Sequence, residues 1–337
     1  MNRRLLECLI VPAVLAILLP LAWISVPPAG AAEELPALLH PELGKVRTKI
    51  SWEGTAYPSR RIDQTGGDFA SFRQDVSLLV PIRQNSSDEW TAAATIRHDG
   101  IETEATLPDT GERFPADLWD MRFGAGYRHR HDDGRISGGF FSLGSASDKP
   151  FNSSREDTVQ LTGFLRLPSG ERNAWLLLLN YSNNREFLNH VPLPGVAYYW
   201  SPSDKFRGVI GFPYLWLSYK PWKDITLEAS YLPVRTVHAE AAWKVIDKCS
   251  LFAAFDWSSR RYLRAGRADS EHGLFYYEKR AGGGLRLETI KDVFLELEGG
   301  YAFDRFYFEG KDYSDRDRNR LDISDGPYMA AKVSLQF

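Results

Sequence analysis

Nucleophilic catalysis needs a serine or cysteine beside a base, most often a histidine, that takes its proton. The sequence has seven histidines, and none of them has a serine two positions further along the chain: His40, His98, His129, His131, His190, His238 and His272. The stretch Asn180-Tyr181-Ser182-Asn183 has a serine and two amides but no histidine beside them. We therefore predict no catalytic residues, and an enzyme is the least favoured reading of the chain.

Two segments have residues that metals bind. His129-x-His131-Asp132-Asp133 falls in a predicted turn, where solvated polar residues are a simpler explanation. The second is an acidic run whose members are Asp312, Asp315, Asp317, Asn319 and Asp322. It lacks the glycine and the closing glutamate of an EF-hand, and three interspersed arginines cancel its charge. We predict no metal site and no cofactor, while calcium binding by residues 310–325 stays open.

Composition excludes two classes of protein. A formal net charge of −3 and a pI near 6.2 give no electrostatic basis for binding nucleic acid. The chain is rich in aromatic residues, with 19 Phe, 15 Tyr and 10 Trp, but its mean hydropathy is −0.34. That value excludes a bundle of membrane helices.

The N-terminus is typical of an export signal. Arg3 and Arg4 precede an apolar run from Leu5 to about Val26, and small residues follow, with Ala29-x-Ala31 fitting a cleavage site before Ala32. An uncleaved anchor helix is the alternative. We predict a cleaved signal peptide over residues 1–31, a short lead-in over 32–45 and one domain over 46–337. The lead-in is too small to be a plug domain.

From Val46 onward the apolar residues recur with a period of two, which is typical of half-exposed strands. Around residue 120, Trp119, Met121, Phe123, Ala125 and Tyr127 alternate with Asp120, Arg122, Gly124, Gly126 and Arg128. The apolar face carries aromatic residues near strand ends, and the other face carries charges of both signs. This pattern favours a closed, antiparallel, up-and-down transmembrane β-barrel with a polar lumen. A large β-sandwich or propeller is the alternative.

Seven similar short segments are predicted to be hairpin turns at the periplasmic end: 80–90, 130–136, 165–175, 200–206, 219–225, 243–249 and 287–293. Longer or less regular loops are predicted at the other end, over 58–68, 99–117, 145–155, 183–195, 263–272 and 310–325. Sixteen strands follow if the short segments beside Pro213 and Pro233 are separate strands. Fourteen follow if both prolines mark bulges, and twelve is a lower alternative. An even number is required.

The chain ends in KVSLQF. Phe337, Leu335 and Val333 share one face of a final strand, which must pair with the first strand because no free edge is stable in lipid. A terminal phenylalanine after such alternation resembles the signal that the bacterial outer-membrane assembly machinery recognises. We predict that the C-terminal strand binds that machinery.

Three segments carry a family resemblance: GLFYYEKR (273–280), LELEGGYAFDRFYFEG (295–310) and DRDRNRLDISDGPY (315–328). With PLPGVAYYWSPSDKFRGVIGFP (192–213), they resemble a family of uncharacterised Gram-negative outer-membrane β-barrel proteins. The resemblance implies fold and location, but no activity. Outer-membrane phospholipases and lipid deacylases resemble one another in a His-x-Ser motif that this chain lacks.

The predicted lumen face carries charges of both signs. Its candidate lining residues are Arg73, Asp120, Arg122, Arg128, Asp256, Arg260, Glu278, Arg280, Arg286, Glu296, Glu298 and Asp304. They could form cross-strand ion pairs, a charged constriction that selects solutes, or both. We predict a porin-like passive channel or solute-specific pore, with no strong selectivity for either charge and no known solute. The alternatives are a filled structural or receptor barrel and a lipid- or lipopolysaccharide-modifying enzyme. Outer-membrane lipid and lipopolysaccharide are the expected surroundings.

Overall fold

A computed structural model describes residues 42–63, 67–107, 111–186, 188–232 and 236–337. The predicted signal peptide and most of the lead-in lie outside these residues. The first strands are β1 Lys49–Arg61, β2 Asp68–Gln84, β3 Asp88–Thr103, β4 Asp117–Arg130, β5 Ile136–Ser147, β6 Asp157–Ser169, β7 Asn173–Ser182 and β8 Leu193–Ser203. The others are β9 Phe206–Phe212, β10 Leu215–Trp222, β11 Ile225–Leu232, β12 Thr236–Ile246, β13 Cys249–Tyr262, β14 Gly273–Ile290, β15 Val293–Gly310, β16 Arg320–Ile323 and β17 Gly326–Gln336.

The strands form one closed antiparallel barrel. Each strand from β1 to β15 pairs with the next along the chain, and β17 pairs with β1 from Lys49 opposite Gln336 to Ala56 opposite Met329. The short β16 and the longer β17 pair with successive parts of the same edge of β15, so together they occupy one position in the wall. The described wall is therefore sixteen strands around, and the C-terminal strand closes it as predicted.

Alternation along the strands separates two faces of the wall. The outward face carries many exposed apolar side chains, among them Phe72, Leu78, Trp90, Phe123, Phe141, Leu143, Leu161, Trp175, Leu177, Leu179, Ile210, Tyr219, Trp243, Leu251 and Tyr301. An apolar outer face and a polar inner face are typical of a barrel that is surrounded by lipid. Among the described residues no helix is long and apolar enough to cross a membrane.

The strand count excludes the bulge interpretation of the prolines. Phe206–Phe212 and Leu215–Trp222 are separate, paired strands that meet at Pro213 and Tyr214. Ile225–Leu232 and Thr236–Ile246 likewise pair with each other, although Pro233 itself lies outside the described residues. The alternatives of fourteen and twelve strands are therefore wrong. The fourteen-strand alternative rests on an expected length of about 9–11 residues for a tilted membrane strand, whereas β9 has 7 residues and β10 has 8.

The two ends of the barrel differ. All seven predicted short turns join neighbouring strands at one end, which we call the short-turn end. At the other, the long-loop end, connections range from two residues between β9 and β10 to more than ten between β3 and β4. The wall is also uneven in height. At about 3.3 Å per residue, β14 and β15, with 18 residues each, are more than twice as long as β9, with 7.

The long-loop end is bridged across its middle. The N–H of Leu263, directly after β13, donates to the carbonyl of Ala146 in β5 at 2.6 Å. Seven wall strands separate β13 from β5 in either direction, so this hydrogen bond joins opposite sides of the barrel. A buried apolar cluster packs on one side of the bridge and includes Ile62, Phe69, Ile101, Phe114, Leu118, Tyr262, Leu274, Tyr276, Tyr307, Leu321 and Ile323. The upper parts of β13–β15 therefore lean over the lumen.

Candidate functional site

The candidate site is the lumen, because the register places most of the predicted lining residues on the inward face. In neighbouring strands Asp256 stands opposite Arg280 and Arg286 opposite Glu296, and Asp120 stands opposite Arg97, which is not among the candidate lining residues predicted from the sequence. Asp304 does not join this lining. It lies at a register shift with a φ of 51° and pairs with Lys279, whose ammonium also stacks over the outward-facing Trp257.

Arg73 of β2 is at the centre of a buried network. Its guanidinium contacts Asp99 of the neighbouring β3 at 2.7 Å and Glu278 of β14 at 2.6 Å. Glu278 also accepts hydrogen bonds from the hydroxyls of Tyr57, at 2.8 Å, and Tyr276, at 2.9 Å. Glu278 is thereby fully hydrogen-bonded, which a buried carboxylate requires.

A second set of ion pairs extends the network toward β4. Asp75 contacts Arg97 at 2.9 Å and Arg260 at 3.6 Å. Asp120 contacts Arg97 at 3.4 Å and Arg122 at 3.2 Å. Each of these carboxylates is shared by two guanidiniums, so the middle of the lumen is a continuous network of alternating charge.

The charged residues near the short-turn end are more open to solvent. Arg286 contacts Glu240 at 3.2 Å and Glu296 at 2.6 Å, and its side chain is 36% exposed. Lys332 lies 3.8 Å from Glu53 on the neighbouring closing strands. This part of the lumen is therefore polar and more open to solvent than the central network, and we call it the vestibule.

The end of the lead-in enters this vestibule. Leu43 is buried against Ile136 and Phe164, whose side chains point into the lumen from β5 and β6. The N–H of Gly44 donates to a carboxylate oxygen of Glu89 at 3.1 Å, and Glu89 also accepts from Arg128 at 2.7 Å. Residues 42–47, which we call the N-terminal segment, therefore lie across the lumen at its short-turn end.

Gly44 allows this path because of its backbone conformation. Its φ of +78° lies in the left-handed region, and a Cβ there would sit 2.6 Å from the carbonyl oxygen of Asn85. The glycine thus lets the chain turn tightly against the β2–β3 hairpin before β1 begins.

Buried ion pairs fasten the loops at the long-loop end. Arg264 donates to Glu112 and Glu309, at 2.8 Å each. Burial lowers the pKa of Arg264, but its hydrogen bonds to these two carboxylates outweigh that effect and raise it overall. Arg267 contacts Glu156 at 3.3 Å with both side chains almost fully buried. The loop after β13 is therefore tied to the loops after β3 and β5 and to β15.

One polar cavity of about 160 Å³ lies beside the central network. Arg97, Asp120 and Arg260 line it on one side. Neutral side chains of β5, β6 and β7 line the other, among them Ser142, Thr158, Gln160 and Ser182. The cavity therefore brings charged donors and neutral polar groups together around open space inside the lumen.

The segments considered for metal binding hold their polar groups in local contacts. His129 lies 2.9 Å from Asp88, and His131 lies 2.9 Å from Ser137. In the loop after β15, Asp312 accepts from the backbone and hydroxyl of Ser314 at the start of a 3₁₀ turn, Tyr313–Asp315. Arg320 contacts Asp322 at 2.7 Å.

Sequence reasoning missed several residues that matter for the lumen. Asp99 was expected in a loop, but β3 continues to Thr103 and carries Asp99 on its inward face. The alternation Arg97-x-Asp99 was the available signal. Tyr57 and Leu43 gave no such signal, because their contacts are with strands distant in sequence.

No protein-family model matches the chain. No curated protein matches it either. Among solved structures, it is similar to an outer membrane channel from Pseudomonas putida F1, with 10% identity over 88% of this chain and 97% of that one and a TM-score of 0.40. The translocator domain of the autotransporter NalP from Neisseria meningitidis has 15% identity over 91% and 93%, with a TM-score of 0.32. A Pseudomonas aeruginosa FadL homologue has 11% identity over 86% and 90%, with a TM-score of 0.33. These similarities are too distant to assign a function.

Proposed function

We propose that the protein is an outer-membrane channel of a Gram-negative bacterium whose lumen is closed at rest by its own side chains. In this proposal the short-turn end faces the periplasm and the apolar outer face contacts outer-membrane lipid and lipopolysaccharide. We also propose that the chain belongs to the uncharacterised barrel family that its sequence resembles.

The observation that carries the channel proposal is the polar cavity inside a sixteen-strand wall. Eight strands enclose only enough space for their own side chains, whereas sixteen enclose an aqueous channel in known barrels. Here, charged pairs and leaning strands take up that space. Because the lumen is polar and only partly filled, it fits a channel through which solutes pass when these ion pairs and strands move apart.

The N-terminal segment fits the same proposal as a closing element. Its contacts inside the lumen are the buried side chain of Leu43 and the hydrogen bond from Gly44 to Glu89, while Val46 and Arg47 are hydrogen-bonded to the hairpin ends at Gln84 and Asp292. Such a short contact can break without unfolding the barrel wall. We therefore assign residues 42–47 as the closure at the short-turn end.

A filled structural or receptor barrel is the second candidate, and the ion pair between Arg73 and Glu278 favours it. Both side chains are at most 5% exposed, and the pair joins strands that are not neighbours in the wall. A barrel permanently braced in this way would hold its shape without conducting.

Conductance in planar bilayers separates the two candidates. We expect the purified protein to conduct in brief steps, and Leu43→Ser to lengthen the open periods because a polar side chain leaves the pocket of Ile136 and Phe164. Lys45→Ala is the control, since Lys45 is exposed and pairs with Glu42, which is itself half-exposed. A folded barrel that conducts neither as wild type nor as Leu43→Ser would favour the filled barrel.

A further inference from the structure

We infer that the lumen cavity beside Arg260 is a binding site for a small carboxylate that also carries hydroxyl groups. The cavity lies between the inward faces of β3–β6 and the upper part of β13. Pairing between the described part of β12 and β13 begins at Val237 opposite Trp257, below this level. Ser259, Arg260, Arg261 and Tyr262 at the end of β13 line the cavity.

Arg260 has hydrogen-bond donors that the surrounding protein leaves unused. Among the described residues its nearest carboxylates are Asp75, at 3.6 Å, and Asp99, at 3.7 Å, and neither distance is a hydrogen bond. Its Nη1 is buried without a hydrogen-bond partner in the protein. A guanidinium offers five N–H groups in a planar fork that matches a carboxylate, so these donors suit one.

The neighbouring acids are already held more closely by other arginines. Asp75 contacts Arg97 at 2.9 Å, and Asp99 contacts Arg73 at 2.7 Å and accepts from the hydroxyl of Tyr262 at 2.8 Å. The two carboxylates near Arg260 therefore lie closer to other arginines than to Arg260 itself. A single additional carboxylate beside Arg260 would form the charge-assisted, bidentate hydrogen bonds that this network does not supply.

The other side of the cavity determines the rest of the ligand. Ser142, Thr158, Gln160 and Ser182 present neutral hydroxyl and amide groups to the cavity, which Arg122, Glu186 and Arg261 also line. Neutral hydroxyl and amide groups of this kind hydrogen-bond to the hydroxyls of a ligand. The site therefore fits a small hydroxylated carboxylate better than a neutral sugar.

Binding at this site does not require conduction. The inference rests on the proposed function only for the route by which the ligand arrives, so a barrel that never conducts could still bind. The binding test is calorimetry on the purified full-length protein in detergent. Its outcome is therefore independent of the outcome of the bilayer experiment.

Glycerate is the probe, and glycerol, which has similar hydroxyls but no carboxylate, is its neutral control. We expect glycerate to bind with measurable heat and glycerol not to bind. Arg260→Gln should weaken glycerate binding at least tenfold. Arg286→Gln, which removes a guanidinium from the vestibule, should leave binding unchanged.

Gln160→Glu provides a second test should Arg260→Gln fold poorly. It places a carboxylate inside the cavity, where it competes for Arg260, so it should also weaken glycerate binding at least tenfold. Equal binding of glycerol and glycerate, no binding of either, or unchanged affinity in a folded Gln160→Glu variant would overturn the inference. Folding is checked by heat-dependent electrophoretic mobility.

Discussion

Arg73 of β2 and Glu278 of β14 form a 2.6 Å ion pair that reaches over the three strands between them in the wall, β15, β17 and β1. The residues are 205 positions apart in sequence. Because both are buried, each depends on the other to compensate its charge. The pair therefore fixes where the leaning strands β13–β15 stand relative to the first strands of the barrel.

Removing one partner of this pair should destabilise the barrel strongly. Arg73→Gln leaves Glu278 buried without its closest cation, a change that typically costs about 3–5 kcal/mol. Urea unfolding of the barrel in phospholipid vesicles measures the loss. The double variant Arg73→Gln/Glu278→Gln should lose less than the two single variants added together, since no uncompensated charge remains at this contact.

Arg172→Gln is the matched control. Arg172 contacts Asp204 in an exposed pair, with side chains 46% and 95% exposed, and exposed pairs contribute roughly 0–1 kcal/mol. A loss for Arg73→Gln no larger than that of Arg172→Gln would contradict the assignment of a bracing role to the central network.

The wall of the barrel could be predicted from sequence, whereas the contents of the lumen could not. Period-two alternation identifies which residues face inward, and short polar turns identify where strands reverse, so the seven hairpins and the closing strand were predicted. Alternation gives no information about distance across the barrel. It placed Glu278 and Arg73 on the same face but could not pair them, because their contact depends on how far β14 leans.

The same limit applies to the N-terminal segment. Leu43 lies in a stretch interrupted by prolines and too short for periodicity to indicate a partner. Its neighbours Ile136 and Phe164 come together only when β5 and β6 pair, with Gly138 opposite Phe164. The pocket for Leu43 is thus a product of the closed barrel and has no local sequence signature.

Replacing Gly44 should release the N-terminal segment. Gly44→Ala forces a Cβ against the carbonyl of Asn85 and places alanine in the left-handed region, which costs about 1–2 kcal/mol. We expect faster amide hydrogen exchange in the peptide that spans residues 42–48. Lys45→Ala, one position further along and exposed, should exchange like the wild type. Equal protection in Gly44→Ala would mean that the segment is held by other contacts.

The loop after β15 should respond to acid through Asp312. Hydrogen bonds from the hydroxyl and backbone N–H of Ser314 lower the pKa of Asp312. A lowered folded-state pKa means that the carboxylate stabilises the loop fully above the unfolded value, about 3.9, and that this contribution is lost as the pH falls through the folded value. Carbon-detected NMR titration of the carboxyl group should give a midpoint below the ordinary range.

Ser314→Ala tests the cause of that shift. It removes the hydroxyl donor, which lies 2.7 Å from Asp312, and keeps the backbone donor at 2.8 Å. The pKa of Asp312 should therefore rise part of the way to its ordinary value. An unchanged midpoint would assign the lowered pKa to the backbone hydrogen bond or to nearby charges instead.

Phe337 should matter more for assembly than for the finished barrel. Its side chain is 65% exposed, and its N–H donates a 3.0 Å hydrogen bond to the carbonyl of Thr48 in the wall. Deleting it therefore removes about 1 kcal/mol of hydrogen bonding from the folded state. If the terminal aromatic is read by the assembly machinery, as we propose, outer-membrane levels in cells should fall much further than this stability loss explains. Phe337→Tyr, which keeps an aromatic terminus, should assemble nearly normally. Normal membrane levels of the deletion variant, or an equally large stability loss after refolding in vitro, would contradict a role in recognition.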